Sequence, residues 1–147
     1  MFKSERGFTL IEILLVIGLI AILAAIVIIA INPARQFAQA RNTQRSSNVN
    51  AILNGVHENM IDNDGGWTCS VDLPTTTAKN IDATTTDICG CLVDTYLAEL
   101  PYDPETGYYT DCTDYDTGYY ILQSTSTGRV TVTATSAELG ESISVTR

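Results

Sequence analysis

The sequence predicts an α+β protein in which one long N-terminal helix packs on a small antiparallel sheet. Three observations predict this fold class. An apolar run extends from Phe8 to Ile31, helical periodicity returns after Pro33, and β-branched and aromatic segments separated by turn residues follow Trp67. A chain of 147 residues suits one compact domain together with a long helix.

The apolar run is long enough to cross a membrane, and it contains one acidic residue near its start. Its twenty-four residues would extend about 36 Å as an α-helix, against about 30 Å for the hydrocarbon core of a bilayer. Glu12 is the only ionisable side chain between Phe8 and Ile31. A carboxylate in lipid costs on the order of a few kcal/mol unless it finds a partner, so Glu12 is a candidate functional residue.

The residues at the start of this run form a motif. A short charged leader with Lys3, Glu5 and Arg6 precedes Gly7-Phe8-Thr9-Leu10-Ile11-Glu12. This combination resembles the prepilin processing site of type IV pilins and of the pseudopilins of type II secretion. The resemblance covers the leader and the long helix, whereas the C-terminal half is similar to pilins in outline only.

The resemblance implies a processing pathway and a set of partners. A prepilin peptidase and methylase of the inner membrane would cleave between Gly7 and Phe8 and N-methylate Phe8. The apolar helix would stay in the mature protein, whereas an ordinary secretory signal loses its apolar region. An inner-membrane assembly platform with its ATPase would then build a helical homopolymer. The precursor would be a single-pass protein of the inner membrane, and the filament would be extracellular or periplasmic.

Glu12 has a specific expected role in that assembly. Cleavage exposes a cationic amine on Phe8, which the Glu12 carboxylate of a neighbouring subunit would neutralise. At about 4 Å and an effective dielectric constant of about 20, the pair gains about 4 kcal/mol before desolvation, which cancels much of that gain. The pair is therefore expected to fix register more than to supply adhesion. A plain single-pass anchor with Lys3 and Arg6 on the cytoplasmic side is the alternative, and it leaves Glu12 unexplained.

The predicted organisation has four segments. They are a leader over residues 1–7, a transmembrane and filament-core helix over 8–31, an amphipathic half of the helix over 32–62, and an acidic globular head over 63–147. Pro33 is expected to bend or interrupt the helix, because proline removes a backbone donor and clashes with the preceding turn. The Asp62–Gly66 stretch is rich in turn residues and predicts the end of the helix.

The amphipathic half shows a helical apolar stripe. Its members are Val49, Ile52, Leu53, Val56 and Met60, with Phe37 and Ala40 further back on a similar stripe. The three arginines of this half, Arg35, Arg41 and Arg45, are expected to face solvent, the acidic heads of neighbouring subunits or anionic lipid headgroups. His57 is expected to be a surface or packing residue.

The head is strongly acidic. Residues 62–147 contain fourteen acids against three cations, in a chain of net charge −9. Such acidity argues against direct binding of nucleic acid, whose phosphates need cations. Strands are predicted at Tyr108–Thr110, Gly118–Gln123, Arg129–Thr135 and Ser142–Thr146, giving three or four in one antiparallel sheet. The two threonine runs at 75–77 and 84–86 are expected to be loops and are candidate sites for O-linked sugar.

All four cysteines lie in the head, which the resemblance places outside the cytoplasm, where thiols oxidise. Cys89 and Cys91 flank only Gly90, so each is expected to bond to Cys69 or Cys112. We favour Cys69–Cys89 with Cys91–Cys112, and the other pairing stays open. A zinc site is the alternative, but Cys-Gly-Cys is not the usual ligand spacing.

The sequence predicts no catalytic residues and no obligatory cofactor. It has one His, no serine elbow and no phosphate-binding glycine loop. Leu100-Pro101-Tyr102-Asp103-Pro104 resembles an element that precedes a calcium loop in major pseudopilins, so Asp111, Asp114 and Asp116 are calcium candidates. The seven tyrosines between Tyr96 and Tyr120 are expected to pack the sheet or to form an adhesive surface.

These observations favour a structural subunit of a type IV pilus-like surface filament serving adhesion, motility or DNA uptake. Two other functions are kept as alternatives. One is a pseudopilin of a type II secretion or competence system. The other, outside the family, is a single-pass, membrane-anchored extracellular binding domain.

Overall fold

A computed structural model describes residues 7–147 of the chain. The prediction for the charged leader, with Lys3, Glu5 and Arg6, lies outside these residues. The chain divides into two compact units, one ending at Phe37 and the other spanning Ala38–Arg147. Each unit is described by itself below.

The first unit is dominated by helix α1, Leu10–Ile31. None of its residues is buried, and by length and composition it could cross a membrane. The helix ends at Asn32, whose φ of 49° is left-handed, a conformation that asparagine tolerates better than most residues. Helix α2 then begins at Pro33, where a missing N–H does no harm at a first helical position. The predicted interruption near Pro33 is confirmed.

Helix α2 extends to Asp62, and its part from Ala38 onward packs in the second unit. Val49, Ile52, Leu53 and Val56 are fully buried, as the apolar stripe predicts. The extension of that stripe to Phe37 and Ala40 is wrong, because Phe37 is 65% exposed and Ala40 is also exposed. The buried positions before Val49 are three others, which continue the same i, i+3/i+4 spacing. They are Ala38, Asn42 and Arg45.

The second unit contains a five-stranded antiparallel sheet, where three or four strands were predicted. The strands are β1 Lys79–Asp82, β2 Tyr108–Asp111, β3 Asp114–Gln123, β4 Val130–Ala134 and β5 Ile143–Thr146. Their order is β1-β3-β4-β5, and β2 also pairs with β3. The missed strand is β1, whose sequence Lys-Asn-Ile-Asp has a single apolar residue and therefore lacks the usual strand composition.

The core of this unit lies between α2 and the inner face of the sheet. Strand β3 alternates buried and half-buried residues, with Tyr115, Tyr119 and Ile121 directed into the core. A short helix, α3, spans Cys89–Leu92. The helix ends at Leu92, because the next residue, Val93, has extended backbone dihedrals, with φ −71° and ψ 145°.

Candidate assembly site

The segment from Gly7 to Thr9 precedes α1 and is not helical. Phe8 is 84% exposed, and a Cβ added to Gly7 would meet nothing within 4 Å. Thr9 has extended backbone dihedrals, with φ −82° and ψ 151°. The Gly7–Phe8 bond is therefore an accessible peptide in a non-helical stretch, the form that a peptidase needs for cleavage.

Glu12 and Thr9 together cap the N-terminus of α1. The Thr9 backbone N–H and hydroxyl donate to Glu12 Oε2 at 2.9 and 2.8 Å, and the Glu12 N–H donates to Thr9 Oγ1 at 3.3 Å. This is a capping box, which satisfies backbone donors that have no partner inside the helix. No described residue donates to Glu12 Oε1. The Thr-x-x-Glu spacing is a sequence signal for this cap, and it gives Glu12 a local role in addition to the predicted one.

Residues 2–31 match the family described as the prokaryotic N-terminal methylation motif. The chain carries the prepilin signature. This signature is shared by precursors of type IV pilins and pseudopilins, and it is typical of structural proteins that start as membrane-anchored precursors. It covers the leader and α1 and does not reach the head. Comparisons with curated proteins and with solved structures found no significant match to the chain.

Beyond the prepilin signature, α2 contributes a buried arginine to the head. The Arg45 side chain has no exposed surface. Its Nε donates to Asp103 Oδ2 at 2.6 Å, and its two Nη atoms donate to Glu138 at 2.8 Å and to Glu105 at 3.1 Å. The Asn42 side-chain oxygen accepts a further bond at 3.1 Å. A guanidinium can make such a set because its donors form a rigid planar fork.

The expectation that Arg45 faces solvent, lipid headgroups or other subunits is thus wrong, whereas the Arg41 side chain is still 31% exposed. Arg41, one turn before Arg45, donates from Nε to Glu138 at 2.7 Å and lies 3.5 Å from Glu105. Both guanidinium groups neutralise acids of their own head. Sequence reasoning missed the partners because Glu138 is 97 residues from Arg41 along the chain. Extending the buried stripe backward from Val49 would have reached Arg45.

The charge network shifts the pKa values of its members. Hydrogen bonds from Arg41 and then Arg45 lower the pKa of Glu138 to about 2. Burial alone would raise the pKa of Asp103, but hydrogen bonds from Arg45 and from two backbone N–H groups outweigh it, so that pKa is lowered. The Asp103 bond raises the pKa of Arg45. All these groups are therefore charged at neutral pH, and the network is an internal clamp between α2 and two loops of the head.

The disulfides join Cys69 to Cys91 and Cys89 to Cys112, with Cα atoms 5.5 and 5.3 Å apart. The favoured pairing of Cys69 with Cys89 is therefore wrong. Helix α3 directs Cys89 into the core, where its Sγ lies 3.8 Å from Tyr109 Oη, beside Cys112. Each bridge closes a loop of 22 or 23 residues, worth about 3 kcal/mol in the loop-entropy account.

The three calcium candidates have separate hydrogen-bond partners. Asp111 accepts from Thr113, Asp114 accepts from Tyr108, and Asp116 accepts from Asn80 and Gly118. In residues 7–147 no group of three or more His, Cys, Asp or Glu side chains is placed to hold a metal ion. Calcium binding stays a prediction, which calorimetry of the protein with Ca²⁺ would test.

The remaining candidates of the head are divided between core and surface. Tyr115 and Tyr119 are buried, and burial raises the pKa of Tyr119 to about 12. His57 is half-buried, as expected for a packing residue. The 75–77 threonine run is exposed, whereas Thr86 of the second run is buried. Only the first run therefore presents all its hydroxyls for modification.

Proposed function

We propose that this protein is the structural subunit of a type IV pilus-like surface filament. It is cut between Gly7 and Phe8, methylated on Phe8 and polymerised through its N-terminal helix. The observation that carries the proposal is α1, which lies within the prepilin signature and has 22 residues of which none is buried. An apolar surface of that extent needs a covering. Lipid covers it before assembly, and the helices of other copies cover it in the filament.

Glu12 supplies the register in this proposal. In the uncut chain its Oε2 atom is bonded to Thr9, and Phe8 has no free amine. Cleavage creates a cation one residue before Thr9. The Glu12 carboxylate of an incoming copy can then pair with that amine inside an apolar surrounding, where a single opposite charge is strongly preferred.

The partners follow from the pathway. They are the prepilin peptidase and methylase, the inner-membrane assembly platform and the ATPase that drives it. The precursor resides in the inner membrane, and the assembled heads face the outside of the cell.

A pseudopilin of a secretion or competence system is the second candidate function, because it shares the prepilin signature. Two disulfides in the head and an exposed threonine run at 75–77 favour a long-lived surface fibre. Electron microscopy of material sheared from cells separates the two, because a pseudopilin would form a short periplasmic filament and not a surface fibre. Deletion of the gene, scored for motility, adhesion, secretion and transformation, then identifies the process.

Processing is tested by mass spectrometry of the protein purified from membranes. The expected N-terminus is N-methylated Phe8. Gly7→Val should leave the precursor uncut, and Gly18→Val should be cut normally. The two glycines are matched, because a Cβ at either position meets nothing within 4 Å. A wild-type protein that still begins at Met1, or normal cutting of Gly7→Val, would contradict the proposal. A correctly cut protein found only as single copies in the membrane would instead favour the anchored binding domain.

A further inference from the structure

The sheet carries its positive and negative side chains at opposite ends. Three cations, Lys79, Arg129 and Arg147, lie at one end of the sheet. Lys79 begins β1, Arg129 immediately precedes β4, and Arg147 follows β5. The strand pairing brings them to the same end, because Lys79 pairs with Ile121 near the end of β3, and Val130 pairs with both Gln123 and Arg147. They are the only cations after residue 61. We call this the hairpin end, because the Ser124–Arg129 loop between β3 and β4 lies there. Six acids lie at or beyond the other strand ends, the acidic end. They are Asp82, Asp111, Asp114, Asp116, Glu138 and Glu141.

A groove of about 670 Å³ lies beside the acidic end, between α2 and the start of β5. Glu141 is the one charged residue that lines it. The α2 wall is an uncharged polar stripe of Gln39, Thr43, Ser46, Ser47 and Asn50. The groove therefore offers hydroxyl and amide groups around a single carboxylate.

Hydrogen bonds hold β5 to α2 at both ends of this groove. Asn42 donates to the Glu138 backbone oxygen at 2.8 Å and to Glu141 Oε2 at 3.1 Å. At the other end, Arg147 donates to Asn54 and to Asn50. Strand β5 therefore runs along α2 in the same direction, so the hairpin end lies towards Asp62 and the acidic end towards Ala38.

Strand β5 has one edge with no paired strand among residues 7–147. It is the last strand in the sheet order, and Val130 and Arg147 exchange two backbone hydrogen bonds of 2.8 and 3.0 Å. In an antiparallel ladder the bonding residues alternate, so Ser144 and Thr146 direct their N–H and C=O groups away from β4. Such an edge accepts the backbone of an added segment.

The Ser124–Arg129 loop has the complementary chemistry. Its residues from Thr125 to Arg129 are exposed, it contains no acid, and Arg129 is its only charge. Within the described part of the chain, Arg129 forms no salt bridge. In a protein of net charge −9, most surfaces of two copies repel each other. The loop and the groove avoid that repulsion, because both are neutral apart from Arg129 and Glu141.

We propose that the Ser124–Arg129 loop of one copy docks in the groove of a second copy, with Arg129 against Glu141. The proposal rests on the proposed function, since it names a head-to-head contact of the filament. The two surfaces are different parts of one copy, so the contact is heterologous, the type that builds a filament when the rotation between copies does not close a ring.

The first test is a charge-reversal cycle in cells, read as the yield of sheared filaments. Arg129→Glu and Glu141→Arg should each lower the yield at least about tenfold, because each places like charges in contact. The double variant should return to within about twofold of wild type. Lys79→Glu is the matched control, since it makes the same charge change at the same end away from the loop, and its yield should stay near wild type. Normal filaments from both single variants, or a double variant no better than the worse single, would overturn the docking.

The second test detects the contact without requiring filaments. In an Arg129→Lys variant in membranes, zero-length carbodiimide should couple the new amine to Glu141, and mass spectrometry of mixed isotope-labelled copies should show an intermolecular link. Within one copy the two residues are about 20 Å apart along the strands, too far for this link. Adding Glu141→Gln should remove it. Wild-type filaments without the link would overturn the docking but not the proposed function. The link without wild-type filaments would support the docking and overturn the proposed function. The absence of both the link and the filaments would overturn the docking and the proposed function together.

Discussion

Helix α1 and the α2 portion that begins at Ala38 place their apolar residues in opposite environments. In α1 every residue is exposed, whereas four apolar residues of α2 are fully buried against the sheet. The same residue types therefore stabilise different structures. The apolar surface of α2 is satisfied by its own chain, and that of α1 requires lipid or other copies.

Charge shows the same contrast. In α1 the single carboxylate, Glu12, stays exposed, and among the described residues its one hydrogen-bond partner is Thr9. In the head the fully buried Arg45 is enclosed by carboxylates of the same unit. A charge that serves assembly must stay available, and a charge that serves folding must be fully paired. Substitutions in the two regions should therefore affect different measurements.

The largest expected effect is on assembly. Glu12→Ala should remove filaments almost completely while membrane insertion and the unfolding of the head stay unchanged, because Glu12 belongs to the first unit and its hydrogen bonds are to Thr9. Thr9→Ala removes the cap acceptor and costs about 1 kcal/mol of helix stability, so filaments should persist. Electron microscopy of sheared material measures both variants. Abundant filaments from Glu12→Ala, or their loss from Thr9→Ala alone, would show that the cap is the main role.

The next effect is on the buried charge of the head. Arg45→Ala should lower the free energy of unfolding by about 3–5 kcal/mol, because Asp103 is left buried without its counter-charge. Urea unfolding of the full chain in detergent, followed by tyrosine circular dichroism, measures the change. Arg35→Ala is the matched control, since Arg35 is exposed and its loss should change the value by less than about 0.5 kcal/mol. Equal effects of the two substitutions would contradict the clamp.

A leucine pair tests the apolar contrast directly. Leu53→Ala should lower the free energy of unfolding by about 2–5 kcal/mol, since Leu53 is fully buried and leaves a cavity. Leu19→Ala, at a position in α1 that is 55% exposed, should leave head unfolding unchanged and reduce the filament yield. The same urea titration and filament assay separate them. An unchanged free energy of unfolding for Leu53→Ala would mean that neighbouring side chains move to fill the cavity.

The smallest effect is a pH dependence. The pKa of Glu138 falls from an ordinary 4.5 to about 2. Its contribution to the free energy of unfolding is therefore complete above about pH 4.5 and disappears as the pH falls to about 2. Glu138→Gln should be less stable than wild type at pH 7, and the difference should shrink over that interval. Arg41 and Arg45 contact Glu138 directly, and Asp103 and Glu105 share these arginines. A difference independent of pH would contradict this account.

Much of the molecule could be predicted from local patterns. The prepilin signature, the membrane-length helix, its interruption at Pro33 and the core stripe from Val49 to Val56 all depend on residues close in sequence. Strand β1 was missed because its composition is polar, and only pairing with β3 makes it a strand. The calcium expectation came from a local similarity, whereas Asp103 of that element binds Arg45.

By itself, the sequence determined where the chain meets a membrane, where it breaks and which short motif a peptidase would read, because these properties arise within a few turns. Only the tertiary structure decided which cysteines bond, which acids surround Arg45 and how the charges divide between the two ends of the sheet. Those outcomes depend on residues tens of positions apart being brought within about 3 Å, and the folded core sets that proximity.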